Sequence, residues 1–293
     1  MQPILIVGNA VLDIVLGVDR YPQEDEEMRA CSRQARLGGN AANTARVLAG
    51  LGYETRLLAT LAPDAAASEL RGLLIAAGVN TEYLVAATGG HTPVSYILLH
   101  AANGSRTIVH HRELAELRLA DFQALPLAAY GWVHFEGRNV TAVQGMLAHL
   151  RESNFAGRIS LELEKDRPQI EALMPYADLI LFSRALAEAR GYSDAPGLLA
   201  AMHELAPHAD LTCTWGAAGA WALGHDNGLH HCPALMPATV VDTLGAGDVF
   251  NAGMIAAMTG GVDLASALTQ ATRLAGRKVG QQGLDGLRLN DPA

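Results

Sequence analysis

Two rhythms of apolar residues alternate along the chain. Short, nearly unbroken runs read as buried parallel strands: Ile4-Leu5-Ile6-Val7, Leu57-Leu58-Ala59-Thr60-Leu61, Trp132-Val133-His134-Phe135-Glu136, and residues 158–165, 179–183 and 211–215. Between them apolar residues return at helical spacing, in 65–77 through Leu70, Leu73 and Leu74, in 143–151, and through 199–205. Two more helices are predicted near the end, over 249–258 and 264–279, and Val240-Val241 reads as the end of a buried strand leading into the first. Strands alternating with helices predict an open, mostly parallel sheet whose strand exits share one ligand-binding edge. One region changes period. From Thr92, residues Val94, Tyr96, Leu98 and His100 alternate with Ser95, Ile97 and Leu99, and Asn103-Gly104 supplies a hairpin turn before 106–110. A hairpin inserted in a βα pattern is a candidate lid, with His100, His110 and His111 on its surface.

The chemistry concentrates in Asp242-Thr243-Leu244-Gly245-Ala246-Gly247-Asp248, at the start of the helix over 249–258. Gly245 and Gly247 leave main-chain N–H groups unshielded at a helix N-terminus, where partial positive charge receives an anion, above all a phosphate. Asp248 stands at the same place, and the helix end favours its ionised form. A carboxylate repels a merely bound phosphate, but it is well placed to accept the proton of a hydroxyl that attacks the phosphorus. Helix capping accounts for one acidic residue, not for the whole run.

Leu37-Gly38-Gly39-Asn40-Ala41-Ala42-Asn43 opens an Ala-rich helix that Gly50 ends. Asn40 and Asn43 lie on one face of its first turn, each with a donor and an acceptor to offer a sugar hydroxyl. Asn40 alone reads as an N-cap; Asn43 lies past the cap, where Asn is a poor helix former. Asp13 interrupts the apolar run 11–16, which calls for a pairing, a braced turn or a polyhydroxy ligand. Arg106, just past the hairpin turn, reads by itself as a solvated arginine or a phosphate contact. Glu136, Arg138, Glu162 and Glu164 follow strand exits and face the shared crevice, where acidic groups fit a hydrated magnesium ion near phosphates or, singly, caps and solvated side chains. The Gly/Ala turn Trp215-Gly216-Ala217-Ala218-Gly219-Ala220 lets a nucleotide approach the backbone or is simply tight. The small residues of 264–279 fit close packing or a flat adenine slot.

The length of 293 residues suffices for one large α/β domain or for one domain with a small appendage, and 50% hydrophobic with 17% charged residues is a globular composition. A net charge of −9 argues against broad binding to nucleic acid or anionic membrane. Cys31, Cys213 and Cys232 are scattered and frame neither disulfides nor zinc. With no leader-like start and no apolar run of bilayer length, a cytoplasmic protein is expected. No Gly-x-Gly-x-x-Gly follows the first strand and no Gly-x-x-x-x-Gly-Lys-Ser/Thr occurs, which opposes a dinucleotide oxidoreductase and a Walker-type NTPase.

In Gly38-Gly39-Asn40 and in Asp242 to Asp248 the chain resembles both signatures of the ribokinase-type superfamily of sugar kinases, also called the phosphofructokinase-B family. The segments 132–139, 161–165 and 280–286 are similar to those of its ketohexokinase branch, kinases of the fructose 1-hydroxyl. The resemblance runs nearly end to end. It implies a single 1–293 kinase domain with a ribokinase-like αβα sandwich, a mostly parallel central sheet, and a small β-sheet lid from about 11–31 and 92–111. It implies Asp248 as catalytic base with Gly245, Ala246 and Gly247 as anion hole, and Asp13, Gly39, Asn40, Asn43 and Arg106 around the sugar. Trp215, Gly216 and Gly219, with Gly245 and Gly247, would line the site of the cofactor ATP, with Mg²⁺ beside it. Asp25 resembles an acidic residue that reaches a partner subunit's sugar in a lid-paired homodimer. Many relatives carry Asn-x-x-Glu for magnesium and phosphate where this chain has Ser183-Arg184-Ala185-Leu186, so the metal's protein contacts stay unassigned; ketohexokinases share that gap. The expected activity is ATP-dependent phosphorylation of a ketose, D-fructose first, with ribose, a nucleoside or another hexose as alternatives. A non-catalytic sugar sensor is the rival from another class, opposed by the intact Gly-Ala-Gly-Asp run.

Overall fold

A computed structural model describes residues 2–289 of the chain; Met1 and 290–293 lie outside the described residues. In chain order its strands are β1 (Ile4–Val7), β2 (Val11–Val18), β3 (Ser32–Gly38), β4 (Thr55–Leu61), β5 (Leu84–Ala86), β6 (His91–His100), β7 (Arg106–Glu113), β8 (Trp132–Glu136), β9 (Arg158–Leu163), β10 (Leu179–Phe182), β11 (Asp210–Thr214), β12 (Ala220–Leu223) and β13 (Leu229–Cys232). Its helices are α1 (Asn40–Gly50), α2 (Ala65–Ala76), α3 (Leu119–Gln123), α4 (Val140–Glu152), α5 (Arg184–Ala189), α6 (Ala195–His203), α7 (Ala246–Thr259) and α8 (Leu264–Val279).

The large sheet has nine strands in the order β13-β12-β11-β10-β9-β8-β1-β4-β5. From β5 through β11 the pairings are parallel, and β12 and β13 add an antiparallel edge. Alternation along β1 explains the layering. Ile4 and Ile6 pack with α1, α2, α7 and α8 on one face, while Leu5 and Val7 pack with α3, α4, α5 and α6 on the other. Each face has its own core, so the strands must be apolar on both sides. The alternation in the sequence therefore yields the expected three-layer αβα arrangement.

A second sheet, β3-β2-β6-β7, stands apart. It is mixed: β2 runs parallel to β6 and antiparallel to β3, and β6 and β7 form the expected hairpin. It also differs from the expected segments, because β3 joins it and β7 runs on to Glu113. β3 escaped the apolar pattern since Ser32, Arg33 and Gln34 are exposed on an edge strand. Val240-Val241 does not end a strand. Both residues are exposed (55% and 48%) in an irregular segment. There β-branching reflects no sheet; the segment hangs by main-chain hydrogen bonds from Val241 and Asp242 to the Val279 carbonyl at 2.8 and 3.3 Å.

Candidate active site

The exits of β1, β8, β9, β10 and β11 meet α1, α7 and the smaller sheet at one edge of the large sheet, around a cleft of about 450 Å³. The chain enters α1 through Gly39, at φ 90°, where a Cβ would lie 2.5 Å from the Asn9 carbonyl oxygen. At Gly38 a Cβ would lie 2.2 Å from the Asp13 carboxylate. Asp13 on β2 thus fits only because glycine stands opposite. Gly39 occupies the cap position, so Asn40 is the first helical residue and not the N-cap. Its Nδ2 donates instead to Glu162 Oε1 at 3.1 Å.

One turn further along α1, Asn43 Nδ2 donates to Asp248 Oδ2 at 2.8 Å. Asn43 Oδ1 is buried without a partner. Asp248 is the third residue of α7, whose N-cap Gly245 takes a left-handed φ of 78°. The first N–H groups of a helix have no carbonyl one turn back within it: that of Ala246 makes a long 3.4 Å contact with the Thr243 carbonyl of the turn, and those of Gly247 and Asp248 stand at the cleft end of α7. The helix end alone favours an ionised Asp248; the structure reverses that expectation. Burial pushes its carboxyl well above the usual range and the charges of Glu164, Glu136 and Asp13 add to the rise, against the hydrogen bond from Asn43. Burial likewise raises Asp13 to about 6, opposed by Ser95 and Arg36.

Glu136, Arg138, Glu162 and Glu164 all line the cleft, as their strand exits predict. Glu136 Oε2 accepts the Asn9 N–H at 2.8 Å. Glu162 is raised by burial and by the charges of Asp248, Glu136 and Glu164, and its Oε2 has no partner. Arg138 pairs with Glu116 at 2.8 Å. Arg106 reaches from β7 to donate to Thr243 Oγ1 at 2.7 Å, joining the smaller sheet to the anion turn. His110 is exposed, as the surface reading of the three histidines has it, and it also lines the cleft, 3.2 Å from Ser95 Oγ, where partial burial with Arg138 and Arg112 nearby lowers its pKa. Sequence reasoning missed Asn9, Ser95, Lys165, Arg167 and Asn251 in this lining. None stands in a recognisable spacing, because each reaches the cleft through the fold.

A second compartment of about 460 Å³ adjoins the first and shares Arg106, Thr214, Thr243, Ala246 and Gly247 with it. Gly216 and Gly219 line it, with Met236, Phe250, Thr272, Ala275, Gly276 and Val279. Trp215 does not. Its ring packs on the core face of the large sheet, with the Arg184 guanidinium 5.5 Å away. Ser183, at the start of the Asn-x-x-Glu position, caps α5 by accepting the Leu186 N–H at 3.0 Å. Among the described residues no cluster of three or more ligating side chains could cage a metal. Magnesium needs no such cage, since it binds through one or two carboxylates, waters and phosphates. The unpartnered, buried Glu162 Oε2 beside Glu164 fits that requirement.

A polar cleft with a buried carboxylate on a glycine-rich helix start, beside an apolar slot, defines a phosphotransferase acting on a sugar hydroxyl. The chain belongs to the pfkB family of carbohydrate kinases, whose model matches residues 1–288. Ketohexokinase of Mus musculus is 37% identical over 98% of this chain and 99% of its own length. ATP-dependent ribose-1-phosphate kinase of Halopiger xanaduensis is 28% identical over 97% of this chain and 94% of its own. Arabidopsis thaliana ribokinase, solved with ribose and ATP, superposes with a TM-score of 0.81 at 22% identity, covering 96% of this chain and 94% of that one. The fold is ribokinase-like, and the protein is a sugar kinase. Among the described residues no helix is long and apolar enough to cross a membrane.

Proposed function

We propose that this kinase transfers the γ-phosphoryl group of ATP to a ketose, D-fructose at its 1-hydroxyl. The observation that carries the reading is the 2.8 Å hydrogen bond between Asn43 and Asp248, which joins the helix facing the sugar to the helix facing the phosphates. Full-length similarity to mouse ketohexokinase supports the choice of fructose. The apolar slot takes the adenosine, over Gly216, Gly219 and the small residues of α8. The phosphates then run to Gly245, Ala246 and Gly247, whose N–H groups hold the charge of the transferring group. Asp13, Gly39, Asn40 and Asn43 hold sugar hydroxyls, and Asp248 takes the proton of the attacking one. Arg106 exchanges Thr243 for phosphate oxygens. Glu162 and Glu164 would hold a hydrated Mg²⁺, which would supply charge neutralisation at the phosphates.

The whole chain acts as one kinase domain, and its smaller sheet serves as a lid whose closure excludes water, the competing acceptor. Tyr96 and Val109, cross-strand neighbours exposed at 50% and 61%, give that sheet a face for a second lid in a homodimer. Asp25, in the exposed loop after β2, is then the residue that reaches the partner's sugar. The free thiols of Cys31, Cys213 and Cys232 fit a reducing, cytoplasmic compartment.

A sugar panel in a coupled ADP-release assay, with the product position located by NMR, tests the proposal. Fructose should give the highest kcat/KM and a 1-phosphate. A preference for ribose, a nucleoside or another hexose overturns the substrate and leaves the kinase. Sugar binding without ADP release from any acceptor overturns the catalytic reading in favour of a sensor.

A further inference from the structure

Lys278, in the last turn of α8, has no exposed surface. Burying an ammonium ion is costly unless each of its three donors finds an oxygen. Three are in reach. Lys278 Nζ donates to the main-chain carbonyls of Asp242 at 2.8 Å and Gln281 at 3.3 Å, and it lies 3.0 Å from Asp242 Oδ2. These oxygens come from two loops. One runs from Asp242 into the anion turn at the start of α7. The other follows α8 and folds back on the first, with the Gly283 N–H on Asp242 Oδ2 at 3.3 Å and the Leu284 side chain against Gly245.

We infer that Lys278 is the resident cation of the anion turn, a positioning residue whose ammonium clasps both loops and cancels the charge of Asp242 beside the phosphate path. The inference rests on the reading of 245–247 as the phosphate cradle. Asp242 is a fixed anion: burial pushes its carboxyl up, but the Leu244 N–H and Lys278 together hold it below the usual range. Without the ammonium, the Asp242 carboxylate keeps only the main-chain N–H groups of Leu244 and Gly283, and the carbonyls of Asp242 and Gln281 lose their shared donor. The loop would have to swing out to find water, carrying Gly245 with it. Its uncompensated charge would also repel a nucleotide phosphate. The sugar side is untouched, because Asp13, Asn40 and Asn43 sit on β2 and α1.

Lys278→Met keeps the length and the apolar stem and removes the charge. It should lower kcat/KM for ATP by roughly 10²-fold, the scale of a small misplacement of reacting groups, and weaken ADP in calorimetry. The KM for sugar should change by no more than about threefold, a split that general destabilisation does not produce. Methylammonium should restore Lys278→Ala saturably, while tetramethylammonium, with no N–H to donate, should not. Asp242→Asn combined with Lys278→Met, which leaves no charge unpaired, should regain part of the ADP affinity. Should Lys278→Met not fold, Lys278→Gln, which keeps an amide donor without the charge, carries the same readings. Wild-type ADP affinity and kcat in either folded variant overturns the inference, as does equal loss in the single and double variants. If the wild-type protein binds ADP yet phosphorylates no sugar, the functional reading fails and ADP affinity still decides the role of Lys278.

Discussion

At the scale of residues, the site is a set of carboxylates held against their own solvation. Asp13, Glu136, Glu162 and Asp248 are all buried and all raised, burial being the largest cause in each. A raised base suits the proposed chemistry, because a proton acceptor works best when its pKa approaches the working pH. The sign follows directly. Below the raised pKa Asp248 holds a proton and cannot accept another, so kcat/KM for sugar should climb with pH through a region well above the ordinary carboxylate range. A pH–rate profile whose acid limb lies within the ordinary carboxylate range would remove Asp248 from the role. Asp248→Asn should lower kcat by roughly 10²–10⁴-fold and leave sugar binding by calorimetry largely intact. Asp13 adds a stability prediction. Its folded-state pKa of about 6 exceeds the unfolded carboxylate value, so its contribution is fully favourable at low pH and is lost as pH rises through about 6. Asp13→Asn should therefore raise the melting temperature above pH 6, by up to about 3 kcal/mol of stability, with no gain below about pH 4. The same variant should lose sugar affinity, which would mark the strain as retained for binding.

At the scale of elements, legibility followed periodicity. Runs buried on both faces, such as Ile4-Leu5-Ile6-Val7 and Trp132-Val133-His134-Phe135-Glu136, were visible because nothing else in a globular chain requires them. Asp13, Asn43 and Asp248 were visible for the converse reason, as polar residues where the pattern demands apolar ones. β3 was not, being exposed at an edge, and neither were β12, half alanine, and β13, half histidine, which lack the β-branched run of β1. Val240-Val241 misled because β-branching also serves an exposed loop. Lys278 was illegible for want of its partners, since Asp242 lies 36 residues away. The small residues of α8 fit close packing or a flat adenine slot, and the geometry gives both a testable form. A Cβ on Gly253 of α7 would lie 2.8 Å from the Ala271 Cα of α8. Gly253→Ala must push the helices apart, at about 1–3 kcal/mol by chemical denaturation. Because Thr272, Ala275 and Gly276 of α8 line the slot, the KM for ATP should rise with it, and the KM for sugar should not.

At the scale of the whole molecule, the arrangement poses a problem of closure. The polar cleft, the proposed sugar site, is bounded by the large sheet below and by one face of the smaller sheet above, through Asp13, Ser95, Arg106 and Ile108. The opposite face of that sheet carries Tyr96 and Val109, paired across β6 and β7 and half exposed or more. An exposed edge hairpin with apolar residues is a liability in a monomer, and proteins generally cover or charge such edges. Covering by a second copy resolves it and gives the lid a fixed partner to move against. The proposed homodimer further requires the exposed loop holding Asp25 to lie within that interface. Val109→Asp places a charge in the centre of that face and should convert a dimer to a monomer in light scattering. If Asp25 completes the partner's sugar site, the monomer should show a raised KM for sugar with an unchanged KM for ATP, and Asp25→Asn should reproduce that rise while remaining dimeric. A wild-type protein that is monomeric at assay concentration sinks the dimer proposal, and a monomeric Val109→Asp variant with wild-type KM for sugar confines the interface to lid stability.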